Sequence, residues 1–319
     1  MASPAITAER SFLHRLKTGD AVAHAITFVF AASILLITIL LLTELWKQSA
    51  LSRVKFGWTF FLGRALDPVA GDFGALPFIY GTIMTSLLSL IIAVPVGLGA
   101  AIFLSEMAPR RISDSLTFVI ELLAAVPSVI YGLLGVFVLV PIMRDFAQPA
   151  LIKSLGFLPF FRGPNYGVGV LTASVVLAIM ILPFLVSISR EALMSVPRDQ
   201  REAALAVGAT RWESTWQVVV PFARLGIIGS VFLALARALG ETMAVTMVIG
   251  NDPTIRSSFL APGYSIAAVI ANEFTEATTD LHLSALVELG LVLFLITVVI
   301  NGLARLLILA TSRKGTAHP

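Results

Sequence analysis

Six stretches of this chain are almost wholly apolar, near residues 22–43, 80–104, 117–141, 168–188, 225–249 and 285–309. The hydrocarbon core of a bilayer is about 30 Å thick, which a helix of roughly 20 residues crosses. Lipid supplies no partners for open backbone N–H and C=O groups, so each stretch has to be helical. The chain is thereby constrained to an all-α integral membrane protein with six transmembrane helices. Composition agrees, with 57% of residues hydrophobic and 13% charged, against about 25% charged in a typical soluble domain.

The net charge of +3 is distributed as membrane topology requires, not gathered into a nucleic-acid patch. With the N-terminus inside, the inner segments carry Arg10, Arg15, Lys17, Arg110, Arg111, Arg190, Arg198, Arg201, Arg211, Arg224, Arg305, Arg313 and Lys314. The outer segments, longer in total, carry Lys47, Arg53, Lys55, Arg64, Arg144, Lys153, Arg162 and Arg256. Cytoplasmic connections retain positive charge, so both termini are expected in the cytoplasm. The first apolar stretch exceeds the 7–15 or so residues of a signal-peptide core and reads as a retained span. The expected divisions are 1–79 (N-terminus, first span and outer segment), a transmembrane domain over 80–309, and a tail over 310–319.

No cysteine is present, which removes disulfides, thiolate metal sites and cysteine catalysis. His14, His24, His282 and His318 form no metal-ligand spacing. No G-x-x-x-x-G-K-[ST] phosphate loop occurs, and no cluster of acids and histidines falls inside the spans. No metal, cofactor or catalytic residue is expected. Pro95, Pro127, Pro141 and Pro183 interrupt the predicted spans. Proline frees a backbone carbonyl, which a membrane helix tolerates where neighbouring helices or a cavity satisfy it. Small residues beside these breaks, as in Val94-Pro95-Val96-Gly97-Leu98-Gly99 and Gly229-Ser230, permit close helix packing.

The fifth stretch carries Arg237 and Glu241 near its midpoint. A charge at bilayer depth costs roughly 2.5–3.5 kcal/mol on insertion scales, so an intramembrane pair marks a functional site by default. Arg237 is the only lysine or arginine toward the middle of a predicted span. As i and i+4 on one continuous helix the two would share a face, though arginine before glutamate is the weaker order for such a pair. Thr82, Thr85, Ser86 and Ser89 share a face of the second span at i, i+3, i+4 and i+7. They could line a pore, or bond their own backbone and neighbouring helices. Ser128, after Pro127, has the same two readings. Glu121 sits near the inner end of the third predicted span.

The longest inner connection, 189–224, reads SREALMSVPRDQREAALAVGATRWESTWQVVVPFAR. Pro197, Asp199, Glu202 and the alanines predict a short helix from Pro197 to Ala206, ended by Gly208. A second helical stretch is expected from Thr210 to Val220, stopping at Pro221. Glu202-Ala203-Ala204, Gly208, and then Val218, Val220 and Pro221 resemble the EAA loop of ABC importer permeases, with valine where isoleucine and leucine are commoner. Residues 74–82 (GALPFIYGT), 121–132 (ELLAAVPSVIYG), 237–246 (RALGETMAVT) and Ala271-Asn272-Glu273-Phe274 resemble the phosphate-specific permeases of that class. The likeness covers roughly 55–309.

That resemblance implies the type I (MetI-like) importer permease bundle in a bacterial cytoplasmic membrane. It implies four partner types: a second permease of the PstA type, a dimer of PstB-type ATP-binding subunits, a PstS-type periplasmic phosphate-binding protein, and phosphate itself. Glu202, Ala203, Ala204 and Gly208 would then form a coupling helix that docks on the ATPase. Arg237, Glu241, Thr242, Thr82, Ser86 and Ser128 are the candidate pathway residues. Arginine suits phosphate because its planar fork binds oxygens bidentately and keeps its charge. Glu241 would either hold Arg237 for exchange with the anion or simply neutralise it. Alternatives are a permease for sulfate, molybdate or phosphonate, an autonomous anion channel, and an enzyme embedded in the membrane. The outer connection 250–284 is acidic (Asp252, Glu273, Glu276, Asp280) around one Arg256, a pattern suited to a docking protein that delivers its anion shielded, or to a plain solvated loop.

Overall fold

The computed structural model describes residues 20–315; Arg10, Arg15, Lys17 and the end of the tail at 316–319 lie outside the described residues. In chain order the elements are α1 (Asp20–Gln48), α2 (Ala50–Phe56), α3 (Thr59–Leu62), β1 (Leu66–Asp67), β2 (Asp72–Phe73), α4 (Leu76–Met107) and α5 (Arg110–Ala124). Then come α6 (Ser128–Leu155), α7 (Val170–Met194), α8 (Arg198–Ala206), α9 (Arg211–Leu239), α10 (Met243–Val248), α11 (Ile266–Glu273) and α12 (Asp280–Gly315). Six of these, α1, α4, α6, α7, α9 and α12, are long and apolar enough to span a membrane. The two strands form a small antiparallel hairpin, with Leu66 opposite Phe73.

The centre of the bundle is the α4–α7 pair, joined by α9 and α10. Leu90, Ala93, Leu177, Ile181, Ala234, Leu239, Val245 and Val248 make one core at mid-height. Small residues set its tightness. A Cβ on Gly97 would meet the Leu185 side chain at 2.8 Å, and one on Gly226 would meet that of Ala192 at 2.5 Å. Beside that second contact, Ser189 and Ser230 share a 2.7 Å hydroxyl hydrogen bond between α7 and α9. A second core (Phe60, Phe73, Phe78, Tyr264, Leu286) closes the end of the bundle formed by the hairpin, α11 and the start of α12.

The third span differs from its expected place. Residues 117–141 do not form one helix; α5 ends at Ala124 and the span is α6, from Ser128. Pro127 has no N–H to give the Leu123 carbonyl, and its extended backbone starts a new helix. That carbonyl accepts the Val126 N–H at 3.2 Å and, across the break, the Tyr131 hydroxyl at 2.8 Å. The sequence reading stopped at 141 because Arg144 and Asp145 interrupt the apolar run, yet they pair with each other at 2.8 Å and the helix continues to Leu155. Glu121 therefore lies exposed on α5, outside any span.

The fifth span is also different at both ends. Helix α9 does not stop before Pro221 but runs through it. A wide turn over Thr215–Val219, in which Val220 N–H reaches the Thr215 carbonyl, makes room for the proline ring. The helix then breaks at Gly240-Glu241-Thr242 and resumes as α10. The last helix continues to Gly315, past the expected end at 309.

Candidate functional site

Arg237 occupies the last turn of α9, and Glu241 lies in the break that follows. The expectation that they share one helical face is corrected, because the helix on which it rested is not continuous. Glu241 Oε1 accepts the Ala244 N–H at 3.3 Å, so this carboxylate caps the start of α10. A carboxylate is favoured at a helix N-terminus by the unpaired N–H groups there. Among the described residues, no ion pair joins Arg237 to a carboxylate. Its guanidinium instead lies 5.6 Å from the ring centre of Phe184 on α7, a cation–π contact. Phe184 is near the middle of α7, which places the arginine at mid-height in the bundle. Arg237, Glu241 and Thr242 are all partly exposed.

The break is held from both sides. Thr246 Oγ1 donates to the Thr242 carbonyl at 2.7 Å, and α10 packs against α6. A Cβ on Gly132 of α6 would meet Met247 Sδ at 2.6 Å and Ala244 Cα at 3.2 Å, so glycine allows this close approach. Tyr131, one residue before that glycine, is buried. Ser128 opens α6 one turn earlier and is partly buried.

The hydroxyl face of α4 sits elsewhere. Thr82 and Ser86 are 2% and 1% exposed, covered by the chain's own helices. Thr82 Oγ1 donates to the Phe78 carbonyl at 2.8 Å and accepts the Ile266 N–H at 2.9 Å. Thr85 and Ser89 donate to the carbonyls of Gly81 and Ser86, both at 2.8 Å. Ser86 Oγ is buried without a hydrogen-bond partner. Gly81 explains the neighbouring contact, since a Cβ there would lie 2.1 Å from the Tyr264 carbonyl oxygen. Gly81-Thr82 is thus the seat on which the 264–266 segment docks. Of the expected pathway residues, the fold brings together Arg237, Glu241 and Thr242, with Ser128 nearby; Thr82 and Ser86 face helix contacts.

At the other end of α9, α8 runs from Arg198 to Ala206 after Pro197, and Gly208 turns the chain with φ +90°. Glu202, Ala203 and Gly208 are exposed, and Ala204 is buried beneath them. Leu205 and Val207 are also exposed, 45% and 85%. Thr210 and Glu213 form a reciprocal capping box that starts α9.

Arg201 was missed by sequence reasoning, where it counted only as an inner positive charge. Its guanidinium reaches Glu106 Oε1 at 2.9 Å and Glu106 Oε2 at 3.2 Å. It also donates to the Leu193 carbonyl at 2.8 Å and to the carbonyl of Val196. One side chain therefore ties α8 to the end of α4 and the end of α7. No local pattern signals this, because Glu106 lies 95 residues away, at the end of α4. Within the 250–284 connection, Arg256 pairs with Asp252 at 3.3 Å, and His282 Nε2 lies 3.9 Å from Glu273 Oε2.

Comparison with known proteins agrees with this arrangement. The profile of the family described as "Binding-protein-dependent transport system inner membrane component" matches residues 93–313. A phosphate transport system permease protein PstC of Mesorhizobium japonicum is 46% identical over 315 residues, covering 97% of this chain and 96% of that protein. The PstC of Haemophilus influenzae is 47% identical over 286 residues, 88% of this chain and 90% of its own length. Among solved structures, a bacterial ABC transporter involved in import of the acidic polysaccharide alginate superposes with a TM-score of 0.57 at 16% identity, over 93% of this chain and 98% of that one. The chain therefore belongs to the binding-protein-dependent transport system inner membrane components, and within them to the PstC family of permeases.

Proposed function

We propose that this chain forms one half of the membrane pathway of an ATP-driven importer of inorganic phosphate. As a PstC-family permease it is a multi-pass inner-membrane transport subunit that works with an ATP-binding subunit and a substrate-binding protein. The relatives are named for phosphate transport, and that substrate is carried over here. The finer assembly is a PstA-like second permease, two PstB-like ATPases and a PstS-like phosphate-binding protein, with α8 and both termini cytoplasmic.

The observation that carries the reading is Arg237: a permanent cation at mid-height, beside a helix break, unpaired by any carboxylate among the described residues. Phosphate bears one to two negative charges and cannot enter hydrocarbon without fixed compensation. Broken helices at the midplane are where transporters place such groups. Glu241, occupied as a helix cap, leaves the guanidinium free for the anion, while its negative charge close by keeps the well shallow enough for release. Thr242 and Ser128 supply hydroxyl donors at the same level.

In the coupling segment 189–224, Glu202, Ala203, Leu205 and Val207 present the surface that docks on the ATPase. Closure of the ATPase dimer pushes α8, and Arg201 passes the displacement to α4 and α7. Reconstitution of all four components in proteoliposomes tests this reading. Phosphate uptake should require ATP and the loaded binding protein, and excess sulfate should not compete. Uptake by the permeases without the ATPase would make the protein a channel, and competition by sulfate would reassign the substrate.

A further inference from the structure

Among the described residues, the guanidinium of Arg237 makes no hydrogen bond and no ion pair. What it faces is the ring of Phe184, 5.6 Å from its charge centre to the ring centre. That lies within the ~6 Å over which the negative face of an aromatic ring attracts a cation. Phe184 is an apolar residue in an apolar helix, and hydropathy gives it no distinction from its neighbours.

The ring is set on a firmly held stretch of α7. Phe184 is half-buried and packs against the central core. Its neighbours are gripped by α4, where a Cβ on Gly97 would meet Leu185 at 2.8 Å and Leu182 at 3.4 Å. Pro183, directly before it, is buried and has a fixed φ. Arg237 stands on the other side of the contact, in the last turn of α9 beside the helix break, and is partly exposed.

The chemistry of the contact differs from that of an ion pair. A carboxylate holds arginine through its N–H groups, often two at once, and an incoming anion must displace it. A ring attracts the cation through its quadrupole and occupies none of those donors. The guanidinium is therefore tethered while its whole N–H fork stays available.

We propose that Phe184 is a positioning residue for transport, its ring holding the Arg237 guanidinium at mid-height with the N–H fork open to phosphate. The contact also joins two helices, so a displacement of α7 carries the guanidinium with it. This role rests on the reading that Arg237 meets the anion.

The test is phosphate uptake by the assembled transporter in proteoliposomes, with Phe184 replaced by mono-, di- and trifluorophenylalanine. Fluorine drains the negative face of the ring and barely alters its shape, so packing is preserved. The expected result is a kcat that falls with each added fluorine, by at least about fivefold in all, as loss of a cation–π contact allows. KM for the loaded binding protein should stay constant. Phe184→Tyr should keep most of the uptake, and Phe184→Leu should lose as much as the trifluorinated ring. Equal kcat across the fluorinated series would overturn the proposal and leave the ring as core filling. So would a rise in KM at constant kcat, which would move its effect to docking of the binding protein. Arg237→Gln is measured beside these. Normal uptake there would remove the anion reading and this proposal with it, whereas loss there with a flat fluorine series would remove the role of Phe184 alone.

Discussion

At the level of single residues, the account turns on how Glu241 and Arg237 are separated. Glu241 caps α10 through the Ala244 N–H, and Arg237 faces Phe184. Their sequence spacing suggested an ion pair, and it did so only because the break at Gly240 was invisible. Glycine and threonine inside an apolar run are ordinary in membrane helices, so hydropathy gives no sign of a break there. Glu241→Gln keeps an acceptor at the cap, and its expected stability loss is below about 1 kcal/mol, whereas Glu241→Ala removes the cap at about 1 kcal/mol. Thermal unfolding of the detergent-solubilised complex distinguishes the two. Tyr131 carries a comparable load: Tyr131→Phe leaves the Leu123 carbonyl with only backbone donors such as the Val126 N–H at 3.2 Å and should cost about 1 kcal/mol. A melt unchanged by Tyr131→Phe would mean that the Pro127 break needs no hydroxyl.

At the scale of elements, sequence counted the six spanning helices correctly, because length and apolarity are what a bilayer demands. It misplaced the third. A hydropathy window averages across Pro127 and joins α5 to α6, then ends early at Arg144-Asp145, whose mutual pairing cannot be seen from composition. The EAA-like segment was legible in detail, since Pro197 and Gly208 are residues with fixed backbone consequences. Gly208 has open space around its Cβ position but φ +90°. Gly208→Ala should therefore strain the turn by about 1–2 kcal/mol without a clash, and reduce ATP-driven uptake while membrane insertion is unaffected. Gly81 is the opposite case. Gly81→Ala places a methyl 2.1 Å from the Tyr264 carbonyl oxygen, so the 264–266 segment must leave α4. Protease cleavage in the 250–284 connection should rise sharply, and an unchanged cleavage pattern would refute the seat assigned to Gly81-Thr82.

Across the whole molecule, a route runs from the surface of α8 through Arg201 to α4 and α7, and along α7 and α9 to Arg237. Its α8 half could not be read from sequence, because Glu106 and Arg201 are 95 residues apart. Arg201→Ala should leave phosphate binding at the outer face unaltered but raise the ATP hydrolysed per phosphate imported several-fold. A stoichiometry equal to that of the unaltered protein would remove Arg201 from the route. The claim on which the rest depends is that Arg237 meets the anion. Radiolabelled phosphate uptake by the reconstituted transporter, with Arg237→Gln, Glu241→Gln and the double variant side by side, tests it most directly. The account predicts a loss of at least about tenfold in both proteins lacking Arg237, equivalent to about 1.4 kcal/mol or more, and substantial uptake with Glu241→Gln alone. Normal uptake by the neutral double variant would contradict it and make the two charges structural.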